Sequence, residues 1–227
     1  MPNHITNRLT IKGTPEQVLI VKEYIKDDEL GIGTIDFNKI EKMPEDLDVT
    51  IHISLQKAAE YALKDKLSEN PVLAAWEREA RESCQSPLEF DDNEWEQFIK
   101  LLNNRRKYGA YYWYDWCIEN WGTKWNAYEQ PDKRNTDDTI YFQTAWSCPF
   151  PIIKKLSTIF PDIEFEIAWA DENLGYNLGI RIFKNGEIIS EIKPKEGSKA
   201  AKELFFNITE FEPADYGMNE NFEYIEE

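Results

Sequence analysis

The side chains best suited to contact or chemistry are concentrated in YYWYDWCIENWGTKWNAY, Tyr111 to Tyr128. Two carboxylates, Asp115 and Glu119, stand among Trp113, Trp116, Trp121 and Trp125, and Lys124 is the one cation of the stretch. An apolar setting raises a carboxyl pKa towards the range where it can work as a general acid or base. Asp171 and Glu172, just after Trp169, form a second acidic pair at the end of a predicted strand. The plainer reading makes Asp171-Glu172-Asn173 a turn, with Asp115 and Glu119 at exposed strand positions. Tryptophan faces also stack on bases or sugars, or anchor a protein partner. Base stacking normally comes with a positive groove, which Lys124 alone does not supply. Read as a strand, the stretch places Trp116, Ile118 and Asn120 on one face and Cys117, Glu119 and Trp121 on the other. Tryptophans on both faces cannot all enter one thin core. Two outcomes therefore stand open, glue between a sheet and a helical insertion or a protein-binding face. The candidate protein-binding set is Trp113, Asp115, Trp116, Glu119, Trp121, Lys124 and Trp125.

Other chemistries find little support. His4 and His52 lie far apart and in no H-x-x-x-H pattern, and Cys84, Cys117 and Cys148 lie in no C-x-x-C pattern. No metal, cofactor or catalytic residue is assigned. Gly31-Ile32-Gly33 precedes a predicted strand and lacks a phosphate-binding lysine, so it reads as a turn. Cys117 and Cys148 have apolar neighbours and read as packed thiols.

The chain carries 43 Asp and Glu against 26 Lys and Arg, a net charge of −17. Such a field repels phosphate backbones and acidic lipid surfaces, and attracts basic partners. Direct nucleic-acid binding is disfavoured, since no basic run exceeds Arg105-Arg106-Lys107. The polar start has no signal-peptide pattern, and no apolar run approaches the ~18 residues of a membrane helix. The expected location is the cytoplasm of a bacterial host cell.

The elements that must position these residues follow from periodicity. Ile5, Asn7, Leu9 and Ile11 alternate with Thr6, Arg8, Thr10 and Lys12, which predicts a half-buried strand. Thr14-Pro15-Glu16-Gln17 is a capping box opening a helix with Val18, Val21 and Ile25 on one face. Thr34 to Ile40 reads as a second strand. Helical spacing follows from Leu55, again from Pro71, and from Asp91, where Glu94 completes a capping box and Phe90 faces Trp95. A break spans Ser83 to Pro87. Ile140 to Trp146 and Ile163 to Trp169 are predicted strands flanking a helix opened by Pro149 and Pro151. Asn185-Gly186 predicts a two-residue hairpin, with Lys184 opposite Glu187 and Phe183 opposite Ile188. From Glu210 on there are seven acids and no Lys or Arg, which predicts a loose, solvated tail.

Without its helical excursion the order is strand, helix, strand, strand, helix, strand. That is the α+β, ferredoxin-like split βαβ plan, with an extra C-terminal hairpin. The expected domains are 1–54 with 108–209 as a discontinuous ferredoxin-like domain, 55–107 as a helical insertion and 210–227 as an acidic tail.

The segments FNKIEKMPEDL, YDWCIENWGTKWNA and FQTAWSCPFPIIKKLSTIFPDIEFE, with the opening NHITNRLTIKG, resemble a family carried by phages, prophages and plasmids, with a YubB-type ferredoxin-like domain. The resemblance covers most of the chain outside 55–107 and the tail. ENWGTKW and TAWSCP are its specific blocks, and EKMP is a small departure from the more apolar run expected there. It implies a ferredoxin-like fold and a mobile-element origin, and supplies no catalytic residues. The expected function is a non-enzymatic acidic binding protein, an accessory, counter-defence or nucleic-acid-mimic factor that engages a basic or nucleic-acid-binding protein and presents carboxylates in place of phosphates. Two alternatives stand beside it: a nucleic-acid-binding module using an aromatic sheet face, and a carboxylate-based enzyme.

Overall fold

The computed structural model describes residues 2–63, 69–82 and 86–225. Along the chain run β1 (His4–Lys12), α1 (Pro15–Ile25), α2 (Ile53–Ala62), α3 (Pro71–Glu82), α4 (Asp92–Tyr108), α5 (Trp113–Asn120), β2 (Thr139–Ala145), α6 (Phe150–Ile159), β3 (Glu164–Asp171), β4 (Leu178–Lys184), β5 (Glu187–Ile192) and α7 (Lys199–Thr209). They divide into two compact units, residues 1–42 with 117–227, and residues 43–116. Of the break predicted at Ser83 to Pro87, Ser83, Cys84 and Gln85 lie outside the described residues. Pro87–Glu89 form a short 3-10 turn.

The first unit holds one five-stranded antiparallel sheet in the order β2-β1-β3-β4-β5. Strands β2 and β3 both run antiparallel to β1 and lie on either side of it, so β2-α6-β3 is a βαβ unit split by β1. This is the ferredoxin-like arrangement in an α+β chain. The alternation of β1 does what its spacing predicts. Ile5, Leu9 and Ile11 are buried, and pair across β3 with Asp171, Ile167 and Phe165. The α1 capping box forms between Thr14 and Gln17, and α1 buries Val18, Val21 and Ile25. Helix α1 lies beside α6, with Tyr24 edge-on to Phe160 at 5.5 Å between ring centres. The hairpin at Asn185-Gly186 has the predicted register and positive φ at both turn residues, as its turn type requires.

Three expectations about elements are corrected. Thr34 to Ile40 is not a strand. It leads into a 3-10 turn at Phe37–Lys39; the Asp36 N–H donates to the Ile25 carbonyl at 2.7 Å, while Ile35 and Phe37 take side-chain partners. The Ile35 N–H donates to Gln130 Oε1 and its carbonyl accepts from Gln130 Nε2, both at 2.9 Å, while the Phe37 N–H donates to Asn126 Oδ1 at 2.9 Å. The amides that satisfy Ile35 and Phe37 lie 95 and 89 residues away along the chain, which local alternation cannot show. Second, the aromatic stretch is helical over Trp113–Asn120 rather than a strand, so the faces expected from period two do not exist. Third, the acidic tail is packed. Ser198 caps α7, which covers the sheet face formed by Ala168 and Ala170, and Phe205 and Phe206 of α7 in turn meet Tyr216 at 5.5 and 5.6 Å. Phe222 stacks on Phe206, and Met218 is buried in the same cluster. The apolar residues between the acids make this contact. Glu226 and Glu227 lie outside the described residues.

In the second unit, Leu55, Ala58 and Ala59 of α2 meet Phe98 and Leu101 of α4. Asp91 and Glu94 form the α4 capping box, and Phe90 and Trp95 lie 6.4 Å apart. Gly109 ends α4 with φ of 76°, the left-handed cap that glycine adopts most readily.

Candidate functional site

The seven sequence-selected residues do not form one site. Trp113, Asp115 and Trp116 belong to the second unit, where the neighbouring Tyr111 and Tyr112 pack on the α2–α4 core. Burial pushes the Tyr112 hydroxyl up to about 12, with Asp115 adding to the effect. Burial also raises the Asp115 carboxyl, with a backbone hydrogen bond from Tyr111 opposing. Trp116 is buried. In the first unit Trp121 is core: it lies edge-on to Phe37 at 5.7 Å, and its Nε1 donates to the Glu41 carbonyl at 2.9 Å. Glu119 is exposed. Only Lys124 and Trp125 are held at a surface of interest.

That surface lies where β1 begins and β2 and β3 end. His4 pairs with Ala145, Ile5 pairs with Asp171, and the Glu172 N–H donates to the His4 carbonyl at 3.0 Å. Gly122 turns the chain out of α5 with φ of 76°, where a Cβ would stand 2.6 Å from the Pro151 ring. Thr123 then anchors it, its hydroxyl donating to the Ala145 carbonyl and accepting from the Ala145 N–H. The next residue, Lys124, places its ammonium 4.6 Å from the Trp125 ring centre and 4.9 Å from that of Trp146. Trp125 meets Tyr128 at 6.3 Å. The Tyr128 hydroxyl is hydrogen-bonded to His4 Nδ1 at 2.7 Å and donates towards the Thr144 carbonyl at 3.3 Å. Burial, reinforced by Glu129 and Glu172, pushes this phenol up to about 12, so it keeps its proton at neutral pH.

Trp146 is the residue that the sequence did not single out. It is 41% exposed and has φ of 69°, a left-handed conformation uncommon for a bulky residue. Its backbone is pinned there, its N–H donating to the Asn3 carbonyl at 2.9 Å and its carbonyl accepting from Asn177 Nδ2 at 3.3 Å. His4 was weighed only as a metal ligand, and Tyr128 only as the end of the aromatic run. The available signal was the position of Trp146, the last large residue before the helix-opening Ser-Cys-Pro.

The carboxylates have other duties. Asp171 is buried and accepts from Asn3 Nδ2, the Asn173 N–H and Asn177 Nδ2 at 3.1, 2.9 and 3.1 Å, the turn geometry of the plainer reading. Asp115 lies in the other unit. Cys117 and Cys148 are buried free thiols. Burial pushes the Cys117 thiol up to about 12 and the Cys148 thiol well above its usual value, so neither is a ready nucleophile. Among the described residues no group of three or more His, Cys, Asp or Glu could hold a metal ion, and no helix is long and apolar enough to cross a membrane.

Residues 121–212 match a family model described as the ferredoxin-like domain in Api92-like protein. This span runs from Trp121 through the Lys124–Trp146 surface and the second half of the sheet to α7. A crystal structure of a protein api92 from Yersinia pseudotuberculosis aligns with 87% of this chain and 100% of its own, at 11% identity and a TM-score of 0.41. A search of curated proteins returns no match.

Proposed function

We propose that this chain is a non-enzymatic binding protein whose contact surface is the sheet end built from Lys124, Trp125, Tyr128 and Trp146. One observation carries it: a large, exposed indole is held at positive φ by two backbone hydrogen bonds, with a cation on its face. Core packing gives no reason to hold an exposed tryptophan in a strained conformation, whereas aromatic anchors at interfaces are a common source of binding energy. Glu129 and Glu172 lie close enough to raise the Tyr128 pKa, so the patch is aromatic within a negative field. Lys124 shows the geometry in which its rings receive a cation. A basic protein is therefore the partner that fits, in keeping with the net charge of −17. The likeness to proteins of phages, prophages and plasmids supports placing this activity in a bacterial cytoplasm, with a basic nucleic-acid-binding protein of the host as the target.

The test is affinity capture from bacterial lysate with the wild-type chain and with Trp125→Ala/Trp146→Ala. The expected result is a basic protein retained at low ionic strength, released by salt and absent from the variant. Capture insensitive to both, or no capture at all, refutes the proposal.

A further inference from the structure

A second surface of the first unit, built on α1, has its own chemistry. Helix α1 turns Val18, Val21 and Ile25 into the core but leaves Leu19 54% and Ile20 59% exposed. Ile32, in the loop after α1, is 49% exposed. On one side of this ridge is a groove of about 520 Å³ between Leu19, Ile32 and the 137–138 loop. On the other is a smaller groove of about 170 Å³ between Ile20 and the Ile159–Ile163 segment. Leu19, Ile20 and Ile32 thus stand as a ridge of large aliphatic side chains between two hollows.

The rim of these grooves is acidic. Asp137 and Asp138 edge the larger groove and Asp162 the smaller. The Thr136 hydroxyl holds the Asp138 carboxyl below its usual range, so it stays ionised. The cations of α1 and the loop after it have partners, and only Lys22 lines a groove. The Lys22 ammonium is buried and donates to the Thr136 and Asp137 carbonyls at 2.9 and 3.2 Å. Lys26 is paired with Glu23, and Lys39 with Asp28. Lys22 lines the larger groove as well, and its charge acts on Asp138, so the two grooves are lined by three carboxylates against one ammonium. An apolar ridge with this net negative rim complements a segment that is apolar on one face and basic at its edges. A second copy of this chain would bring the same acids against themselves, and an anionic lipid surface would be repelled.

We infer that the α1 ridge, formed by Leu19, Ile20 and Ile32 with its Asp137, Asp138 and Asp162 rim, is a docking surface for a basic amphipathic helix of a partner protein. This rests on the reading of the chain as a binder of basic proteins, but on different residues from the sheet-end patch. The helix lays its apolar side chains into the two grooves, and its Lys or Arg residues meet the rim.

The probe is a synthetic 18-residue amphipathic helix with leucines on one face and lysines at its edges. Its twin carries glutamate in place of lysine. Binding is followed by fluorescence anisotropy, with sedimentation velocity of the protein alone. The expected result is at least tenfold tighter binding of the lysine peptide than of its twin. Leu19→Ser/Ile20→Ser should lose at least tenfold in affinity with an unchanged circular dichroism spectrum, and Trp125→Ala/Trp146→Ala should bind as wild type does. Absent binding, equal binding of both peptides, or binding untouched by Leu19→Ser/Ile20→Ser overturns the inference. So does a dimer in sedimentation that the same variant dissolves, because the ridge is then an interface between copies. Loss of binding only in the tryptophan variant leaves the sheet-end proposal standing and refutes this one.

Discussion

Gln130 does the work of a strand. Its side-chain amide donates to and accepts from the two backbone groups of Ile35, a residue with no solvent exposure. Replacing it by leucine leaves a buried N–H and a buried carbonyl without partners, so Gln130→Leu should cost about 2–4 kcal/mol, read as a lower urea midpoint at unchanged slope. A second residue-scale consequence concerns acid. The Arg134 guanidinium, hydrogen-bonded to Asp132 at 2.6 Å, holds the Asp132 carboxyl below its usual range, and both side chains are largely covered. Near an unfolded pKa of about 3.9 the unfolded chain therefore binds more protons than the folded one, and stability rises with pH. The contribution is complete above that unfolded value and is lost as pH falls through the lower folded value. Asp132→Asn should thus be less stable than wild type at pH 7, and the gap should close as the pH approaches 3. Urea midpoints across the pH range check this, and a gap that stays constant contradicts the linkage.

At the scale of elements, the close approach of β3 and β4 depends on a missing side chain. Gly179 faces Trp169 across the pair, and a Cβ built there would lie 2.6 Å from the indole and 2.8 Å from the Ile192 carbonyl. The indole in turn packs edge-on against Phe150 of α6 at 4.8 Å. Gly179→Ala must move the ring or bend β4, which should cost roughly 1–3 kcal/mol and change the near-ultraviolet dichroism of tryptophan. Elements of this kind were legible where one face decides the pattern. The alternation in β1, the capping boxes of α1 and α4 and the Asn185-Gly186 turn all have a local cause, and all appear as their spacing predicts. Residues 34–40 were misread because the backbone of Ile35 and Phe37 is partnered by the distant side chains of Gln130 and Asn126 and not by a strand. Residues 113–120 were misread because aromatics favour strands in general, while here Tyr111 and Tyr112 find a helical core to pack on. Helix α7 passed unseen although Ser198, Ala201, Phe205 and Ile208 carry its cap and its apolar face. Of the candidate surface, Lys124 and Trp125 were legible from composition. Trp146 and His4 were not, because their role depends on which strand ends meet.

For the molecule as a whole, the two halves of the sheet determine what can reach it. A nucleic-acid-binding role on this fold needs an open sheet face bearing aromatics beside cations. Here α7 lies over Ala168 and Ala170, and Arg8, which shares that face, donates to Asn207 of α7 at 3.1 and 3.2 Å. The aromatic residue of β2 on that face, Tyr141, is buried, with its hydroxyl donating to Glu210 at 2.9 Å and the Arg134 guanidinium 4.4 Å from its ring centre. In the second unit the basic end of α4 lines a groove of about 600 Å³ with Lys100, Arg106 and Lys107, but Asp46 and Glu96 line it too, and Asp46 pairs with Lys107 at 2.9 Å. Counter-ion release, the main source of affinity for phosphate backbones, thus has few cations to draw on and a net charge of −17 against it. Filter binding with single-stranded DNA and RNA at about 50 mM salt should therefore retain nothing at tens of micromolar protein. Retention that falls steeply with salt and is weakened by Lys100→Gln/Arg106→Gln would instead make the α4 groove a phosphate-binding surface, and would put nucleic acid in place of the proposed basic protein partner.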